Sequence, residues 1–351
     1  MTRAARAVRP SGRPSASRSP GSDDPCHQVK AIGRASRHEP ASTLKDSLLR
    51  SQAIPKLAHQ AGAVLGRVAS AILLVVAALA LFVSAGGLGS STGSAATLET
   101  AAFRSHAVNS RLHFLIALPE GYATSGLRYP VVYFLHGLPA SPTSYQTLAW
   151  VSGALEQTGH EAILVVPQAA SSTASDPEYH DWGPGKNWET ALASELTRYV
   201  DAHYRTIANR SGRAIVGFSA GGYGATILGI HHPMKYSVIE SWSGYFRPTD
   251  PTGERTLDVG SKADNDDASV PSLVAGLRKQ FRRYPTFLGF YVGKRDPTFV
   301  NDNVRLDSEL IAARVSHVFE LYAGAHTKTL WQSHAVVWLK LALDRLQAPT
   351  A

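Results

Sequence analysis

The chain has 351 residues, of which 44% are hydrophobic and 9% aromatic, a composition typical of a globular protein and not of a disordered one. Its formal net charge of +8 comes from the first 67 residues, which hold 12 Lys or Arg against 4 Asp or Glu, whereas residues 68–351 hold 23 of each sign. Because the larger part of the chain is neutral, its composition argues against a nucleic-acid-binding protein.

Two segments precede the globular part. Residues 1–67 are rich in Arg, Ser, Pro, Ala and Gly without periodicity, which predicts a disordered basic tail. Residues 68–90 hold no charged residue and contain an apolar run long enough to cross a bilayer as a helix. Since the basic residues lie on the N-terminal side of this run, the positive-inside rule predicts a cytoplasmic tail and an exported remainder.

Two interpretations of residues 68–90 stay open. The long apolar run and the long tail favour an uncleaved signal anchor, which would make the protein a single-pass protein of the cell membrane. A signal peptide cut after Ala85 would instead release a secreted protein, and Val83-Ser84-Ala85 fits the small-x-small preference of such cleavage sites. Residues 91–101 are predicted to be a linker.

Residues 102–348 alternate strand-like and helix-like segments, which predicts one α/β domain with a mostly parallel central sheet flanked by helices. In such sheets ligands bind at the carboxyl ends of the strands. The predicted strands are His113–Leu118, Pro130–Leu135, Ala162–Val166, Ala214–Gly217, Val238–Trp242, Phe287–Val292 and Val318–Tyr322. The predicted helices are Trp188–Tyr204, Gly221–His232, Val270–Arg282, Val304–Val315 and Leu330–Leu346.

Metal and cofactor chemistry finds no support in the sequence. The only cysteine, Cys26, lies in the tail, so the exported part can form neither an internal disulfide nor a thiolate metal site. The C-x-x-C, H-E-x-x-H and P-loop patterns do not occur. The acidic run Asp264-Asn265-Asp266-Asp267 lacks the glycine of a calcium loop and is predicted to be a solvated loop. No cofactor and no metal are predicted.

A nucleophilic serine elbow is predicted at Gly217-Phe218-Ser219-Ala220-Gly221. A strand-like run precedes it and a helix of small residues follows it, which is the order that a strained strand-to-helix turn needs to expose the oxygen of Ser219. The same G-x-S-x-G pattern at Gly89-Ser90-Ser91-Thr92-Gly93 has neither flank and is interpreted as linker.

A serine hydroxyl needs an imidazole base that is oriented by a carboxylate. Asp296 follows the strand that ends at Val292, and His326 follows the next one, so the chain order Ser, Asp, His matches that of α/β-hydrolases. Other residues of the same types compete for these roles but lie in or next to helices: Asp302, Asp307, His334, His231 and His232.

An oxyanion hole needs two backbone N–H donors, one from the residue after the nucleophile and one from a loop after an early strand. These are predicted to be Ala220 and Leu138, the latter following the strand-end pair His136-Gly137. An ordinary turn is the alternative interpretation of His136-Gly137.

The segments FLHGL, WETALASEL, GFSAGGYGATILGIHHP, SWSGYF, GKRD and GAHTKTLW together resemble the putative-esterase family of α/β-hydrolases, over roughly residues 103–346. This family includes antigen 85 mycolyltransferases, feruloyl esterases and S-formylglutathione hydrolases. The resemblance implies Ser219 as nucleophile, Asp296 as acid, His326 as base, and Leu138 and Ala220 as oxyanion donors. It further implies an α/β-hydrolase fold. The apolar run of residues 68–90 predicts one transmembrane helix in front of this fold.

Two departures from the mycolyltransferases favour ester hydrolysis over mycolyl transfer. Pro139 stands where those enzymes carry an arginine, and Asp296 stands where they are expected to use a glutamate placed elsewhere. The Ala220-Gly221-Gly222 elbow resembles the esterase branch of the family.

Substrate contacts are predicted for aromatic residues near strand ends, with Trp182, Trp188 and Tyr245 lining an acyl or sugar pocket; Trp150 and Tyr179 belong to the same group. Packing is the alternative role for each of them. The polar segment Asp250–Ser269 is predicted to be either a lid over the site or a disordered insertion.

The sequence thus predicts a serine esterase that forms an acyl-enzyme at Ser219 and acts outside the cytoplasm on a small-molecule, lipid or glycan ester. An acyltransferase or a serine peptidase could use the same three residues. A non-catalytic cell-surface binding protein on the same fold is the alternative of another class. The membrane is contacted through residues 68–90, and no nucleic-acid partner is predicted.

Overall fold

The computed structural model describes residues 96–173, 178–250 and 255–351. The predicted tail, the predicted membrane segment at 68–90 and the second G-x-S-x-G copy lie outside these residues. None of the helices in the described ranges combines the length and the apolar character that a bilayer crossing requires.

A sheet of eight strands forms the centre of the fold, in the order β1-β2-β4-β3-β5-β6-β7-β8. Two antiparallel pairings, of β1 with β2 and of β2 with β4, lie at one side, and all pairings from β4 to β8 are parallel. The strands are β1 (Thr97–Ser105), β2 (Ser110–Leu118), β3 (Val131–Leu135), β4 (Ile163–Pro167), β5 (Arg213–Phe218), β6 (Val238–Trp242), β7 (Phe287–Gly293) and β8 (Val318–Tyr322). The predicted α/β fold with a mostly parallel sheet is confirmed.

Burial explains why the inner strands are short and apolar. Every residue of β3, β4 and β6 is buried, and β5 is buried except at its last residue. Strands covered by helices on both faces bury both sets of alternating side chains, so β3 and β4 form continuous apolar runs, whereas β6 also holds the buried Glu240 and Ser241. This pattern is the signal that made these strands predictable.

Helices connect the parallel strands. They are α1 (Tyr122–Ser125), α2 (Trp150–Glu156), α3 (Trp188–Thr190), α4 (Thr197–His203), α5 (Ala220–His231), α6 (Lys262–Asp267), α7 (Val270–Arg283), α8 (Val300–Ala312) and α9 (Lys328–Leu343). A π-helical stretch, Ala191–Leu196, joins α3 to α4, so the helix predicted from Trp188 is one continuous helical segment with a wider turn inside it.

Two predictions about irregular segments are wrong. In the predicted linker at 91–101, residues 97–101 belong to β1, which pairs with β2 over its whole length, and residues 91–95 lie outside the described part of the chain. The first four residues of β1 are exposed, and an exposed edge strand lacks the apolar alternation that reveals a strand. The acidic run after Ser261 belongs to α6 rather than to a loop. Ser261 caps α6 and forms a capping box with Asp264, which stabilises this short polar helix.

The segment Asp250–Ser269 is therefore helical over Lys262–Asp267, and a wholly disordered insertion is excluded for residues 255–269. Its predicted alternative role as a lid stays a prediction. Residues 251–254 lie outside the described part of the chain.

Candidate active site

The turn between β5 and α5 places Ser219 in an unusual backbone conformation, with φ 54° and ψ −126°. This region of the Ramachandran plot is strained for a residue with a side chain, and such strain is typical of functional sites. The N–H of Ser219 donates to the carbonyl oxygen of Trp242 at 2.9 Å, which anchors the turn to β6. Ser219 is largely buried, with 8% of its surface exposed.

Glycines allow this turn to form. A Cβ atom on Gly217 would lie 2.3 Å from the carbonyl oxygen of Gly221, and a Cβ atom on Gly221 would lie 2.2 Å from that of Leu135. Both distances are far below van der Waals contact, so any side chain would force β5, α5 and the end of β3 apart. The structure thus gives the spacing of the two elbow glycines a steric reason.

Three predicted residues meet at the carboxyl end of the sheet. The Nε2 atom of His326 lies 3.0 Å from Oγ of Ser219, and its Nδ1 atom lies 2.8 Å from Oδ2 of Asp296. When Nδ1–H donates to the carboxylate, Nε2 carries the lone pair that faces the serine hydroxyl. This is the arrangement in which an imidazole can accept the proton of a serine nucleophile.

Asp296 is fully buried, and both of its carboxylate oxygens are engaged. Oδ2 accepts from His326, while Oδ1 accepts from the backbone N–H groups of Thr298 and Phe299 at 3.1 and 3.0 Å. The competing residue Asp307 lies instead in α8 and pairs with Nε2 of His317 at 2.9 Å. The backbone donors after β7 therefore fix the carboxylate that faces His326.

Two aromatic rings hold the imidazole of His326 from its sides. Phe299 and Trp331 each contact it edge-to-face with ring centroids 5.1 Å apart. Trp331 stacks on Phe218 of the elbow at 4.2 Å and donates its indole N–H to Oγ of Ser243 at 3.1 Å. Phe299 was not anticipated from the sequence, and its position three residues after Asp296 is the only signal that could have pointed to it.

The two predicted oxyanion donors lie on two segments that meet at the nucleophile. Ala220 is the first residue of α5, where backbone N–H groups have no partner within the helix. Leu138 follows β3 and lines the same small cavity as Ala220. The adjoining Gly137 packs so closely on the elbow that a Cβ atom there would lie 3.0 Å from Cβ of Ser219. The loop and the helix start are therefore in direct contact around Ser219.

The aromatic residues predicted to contact substrate occupy three different environments. Trp182 is 37% exposed, Trp188 belongs to the main hydrophobic core, and Tyr245 is buried with its hydroxyl donating to Glu178. Tyr245 also contacts Phe299 at 5.0 Å between ring centroids. Core packing accounts for Trp188, whereas substrate contacts by Trp182 and Tyr245 stay predictions.

A second cluster of histidines and a carboxylate lies at the far end of α5. Glu189 accepts from Nδ1 of His231 at 3.1 Å and from Nε2 of His232 at 2.8 Å. Burial alone would raise the pKa of Glu189, but the hydrogen bonds from the two histidines outweigh it and lower the pKa to about 2. Burial likewise lowers the pKa of His231, yet the bond to Glu189 outweighs it and raises that pKa.

In residues 96–173, 178–250 and 255–351, no group of three or more His, Cys, Asp or Glu side chains is arranged to hold a metal ion.

Comparison with protein families places most of the described chain in one of them. Residues 105–337 match the family described as Putative esterase. An esterase of Mycobacterium tuberculosis is 33% identical over 130 residues, which are 37% of this chain and 28% of that protein. The diacylglycerol acyltransferase/mycolyltransferase Ag85A of Mycobacterium leprae is 28% identical over 138 residues, which are 38% of this chain and 41% of that protein. The chain thus spans less than half the length of these curated relatives.

Among solved structures, an S-formylglutathione hydrolase from Agrobacterium tumefaciens aligns with a TM-score of 0.60 and 18% identity, covering 74% of this chain and 99% of that one. At this identity the alignment shows a shared fold.

Proposed function

Since the chain belongs to the Putative esterase family of α/β-hydrolases, we propose that it is a serine esterase that hydrolyses carboxylic esters through an acyl-enzyme at Ser219. The observation that carries the proposal is the continuous hydrogen-bonded chain from Asp296 through His326 to Ser219, at 2.8 and 3.0 Å. A hydroxyl, an imidazole and a buried carboxylate in this order form the catalytic unit of serine hydrolases.

The geometry supports the following reaction. Oγ of Ser219 attacks the ester carbonyl carbon while its proton moves to Nε2 of His326. The carbonyl oxygen becomes an oxyanion, which the N–H groups of Ala220 and Leu138 and the N-terminus of α5 stabilise. His326 then returns the proton to the alcohol oxygen, and the alcohol leaves. Water, deprotonated by His326, attacks the acyl-enzyme and releases the carboxylic acid and Ser219.

Asp296 supports the charged imidazole in both halves of this reaction. Its Oδ2 atom holds Nδ1–H of His326, which fixes the ring orientation and stabilises the imidazolium that forms in each transition state. The two backbone donors to Oδ1 hold the carboxylate in place, so that Oδ2 stays directed at His326.

An acyltransferase is the second candidate, because 138 residues of the chain are 28% identical to a mycolyltransferase. The same acyl-enzyme would then react with a hydroxyl of a sugar or lipid instead of water. Product analysis with and without an added alcohol separates the two reactions, since transfer yields a new ester and hydrolysis yields the free acid.

We also propose that the catalytic domain acts outside the cytoplasm. The support is the uncharged segment 68–90 behind a basic tail, which is typical of a signal anchor. The mass of the mature protein distinguishes a retained anchor from a cleaved signal peptide.

The test uses the full-length protein in a mild detergent with p-nitrophenyl esters from acetate to palmitate. We expect turnover in the wild type and a loss of about 10⁴-fold or more in Ser219→Ala, because the nucleophile is gone. A fluorophosphonate should label the wild type on Ser219, as read by mass spectrometry of the peptide.

Ser91→Ala is the matched control, since Ser91 is the central serine of the second G-x-S-x-G copy. This variant should keep wild-type turnover. A folded wild type that cleaves none of the esters and is not labelled would overturn the esterase proposal and favour the binding-protein alternative.

A further inference from the structure

One side chain joins the two elements that carry the predicted oxyanion donors. The hydroxyl of Tyr179 donates to the carbonyl oxygen of His136, two residues before Leu138. The ring of Tyr179 lies on Gly224 of α5, where a Cβ atom would come within 2.4 Å of the ring. Tyr179 therefore contacts the loop after β3 through its hydroxyl and the helix after Ser219 through its ring.

The backbone around Tyr179 is held in a costly conformation. Glu178 and Tyr179 have φ angles of 42° and 61°, in the left-handed region that disfavours residues with side chains. Two such residues in succession persist only where surrounding contacts fix them. Both side chains are buried, with 1% and 3% of their surfaces exposed, so neighbouring atoms surround them on all sides.

Glu178 extends the connection to the other half of the site. Its Oε1 atom accepts from the hydroxyl of Tyr245, whose ring contacts Phe299 at 5.0 Å. Phe299 in turn donates its N–H to Asp296 and packs edge-to-face on His326. The dipeptide Glu178-Tyr179 thus lies between the oxyanion side and the acid-base side of the site.

An oxyanion hole lowers the energy of the transition state only when its two donors are accurately placed. Donors stabilise the developing charge only when they lie within hydrogen-bond distance of the oxyanion, and a displacement of about 1 Å can cost on the order of 100-fold in rate. Leu138 lies on a loop, and loops are more mobile than helices. A contact that fixes this loop to α5 sets the distance between the two donors.

We propose that Tyr179 is a positioning residue that holds the loop of Leu138 against α5 and thereby sets the geometry of the oxyanion hole. This proposal rests on the proposed esterase function. It assigns to Tyr179 no contact with substrate, in contrast to the pocket-lining role that the sequence suggested.

The test is Tyr179→Phe in the full-length protein, which removes the hydroxyl and keeps the ring. We expect kcat, expressed per fluorophosphonate-titrated site, to fall about 10-fold to 100-fold, with KM changed less than about 2-fold, because the ground state makes little use of the oxyanion hole. Binding of a trifluoromethyl ketone, whose hemiketal oxygen occupies that hole, should weaken by the same factor. The pH profile should keep its shape, because His326 and Asp296 are untouched.

Two further variants separate positioning from a general loss of stability. Tyr129→Phe is the matched control: Tyr129 is fully buried and its hydroxyl bonds Oγ of Ser125 at 2.6 Å, but it precedes β3 at the opposite end of the sheet. It should lower the melting temperature as Tyr179→Phe does and leave kcat unchanged. Gly224→Ala perturbs the same contact from the helix side and should reproduce the loss of kcat.

The outcomes are distinguishable. A wild type without esterase activity would mean that the proposed function fails. An active wild type, an inactive Ser219→Ala and a Tyr179→Phe variant with wild-type kcat and inhibitor affinity would overturn the positioning role alone. An equal loss of kcat in Tyr179→Phe and Tyr129→Phe would also overturn it, since the effect would then be a general one.

Discussion

The two ends of α5 each carry a histidine–carboxylate cluster, and the clusters differ in what lies beside them. At the N-terminal end, His326 connects the buried carboxylate of Asp296 to Oγ of Ser219. At the C-terminal end, His231 and His232 share the carboxylate of Glu189. In the described ranges, the side-chain hydrogen bonds of these two histidines go only to carboxylate or backbone oxygens, so this cluster contains no nucleophile.

The helix itself accounts for the different roles. Its N-terminus offers free N–H groups and a partial positive charge, which would stabilise an oxyanion beside Ser219 in the proposed reaction. Its C-terminus carries a partial negative charge, which favours the cationic form of His231, the last residue of α5. A histidine next to a carboxylate is therefore not by itself evidence of catalysis; its position relative to a nucleophile and to a helix end decides the role.

The largest expected difference between the clusters is in turnover. His326→Ala should lose about 10⁴-fold or more of kcat, because Ser219 loses its base. His231→Ala removes an imidazole of the same kind from the other end of α5 and should keep kcat within about 3-fold, since it touches no reacting atom. Ester hydrolysis at substrate saturation measures both. A comparable loss of kcat in the two variants would mean that the far cluster takes part in the reaction.

The next effect concerns stability and its pH dependence. Glu189→Gln should lower the free energy of unfolding by about 3 kcal/mol near pH 5.5, because the cationic form of His231 loses its charged partner in a largely buried site. The pKa of Glu189 is about 2 in the folded protein against 4.5 ordinarily, so its contribution is present above pH 4.5 and is lost as the pH falls towards 2. The pKa of His231 is raised above 6.5, so this histidine adds to the free energy of unfolding at low pH. That contribution is lost as the pH rises through the folded-state pKa of His231.

Urea unfolding of the wild type and of Glu189→Gln between pH 3 and pH 9 measures this. The gap between the two curves should be widest at mildly acidic pH and should narrow on both sides, while ester turnover of the folded variant is retained. Parallel curves would show that the ion pairs are not the source of the stability.

The sequence predicts the cluster of Ser219, Asp296 and His326 better than it predicts the residues that support it. Asp296 and His326 could be predicted because each follows an apolar strand that ends at the edge where Ser219 lies, and parallel strands bring such ends together. Phe299 and Tyr179 could not, since their roles depend on contacts between segments far apart in the chain, such as that of Tyr179 with His136. No local pattern records a contact of this kind.

The strands also differ in how well the sequence predicts them. The prediction of β3 agrees with the structure to within one residue at each end, because a strand buried on both faces is a continuous apolar run. Residues 97–101 of the edge strand β1 fall in the predicted linker, because β1 mixes polar and apolar residues without strict alternation and its first four residues are exposed. A buried strand can be recognised from its apolar composition, whereas backbone pairing at an exposed edge places almost no requirement on the side chains.

Another buried carboxyl, that of Glu240, extends the comparison, because its hydrogen-bond donors are neutral side chains and not a histidine. It is fully buried in β6 and accepts from the indole N–H of Trp242 and from the hydroxyl of Tyr291, both at 3.1 Å. Burial raises its pKa to about 8, against the opposing effect of these two hydrogen bonds. The carboxyl is therefore protonated at neutral pH, unlike Glu189.

Glu240→Gln tests this difference, because glutamine keeps the shape and stays neutral at every pH. The pKa of Glu240 in the folded protein is raised above the ordinary 4.5. Glu240 therefore contributes to the free energy of unfolding below pH 4.5, and this contribution is lost as the pH rises through about 8. The wild type should thus lose stability relative to Glu240→Gln across this window, by on the order of 2 kcal/mol, with little change in turnover. Urea unfolding at pH 5, 7 and 8.5 measures the gap. A gap that stays constant with pH would mean that Glu240 is ionised in the folded protein, and that a buried carboxylate here needs no histidine to keep its charge.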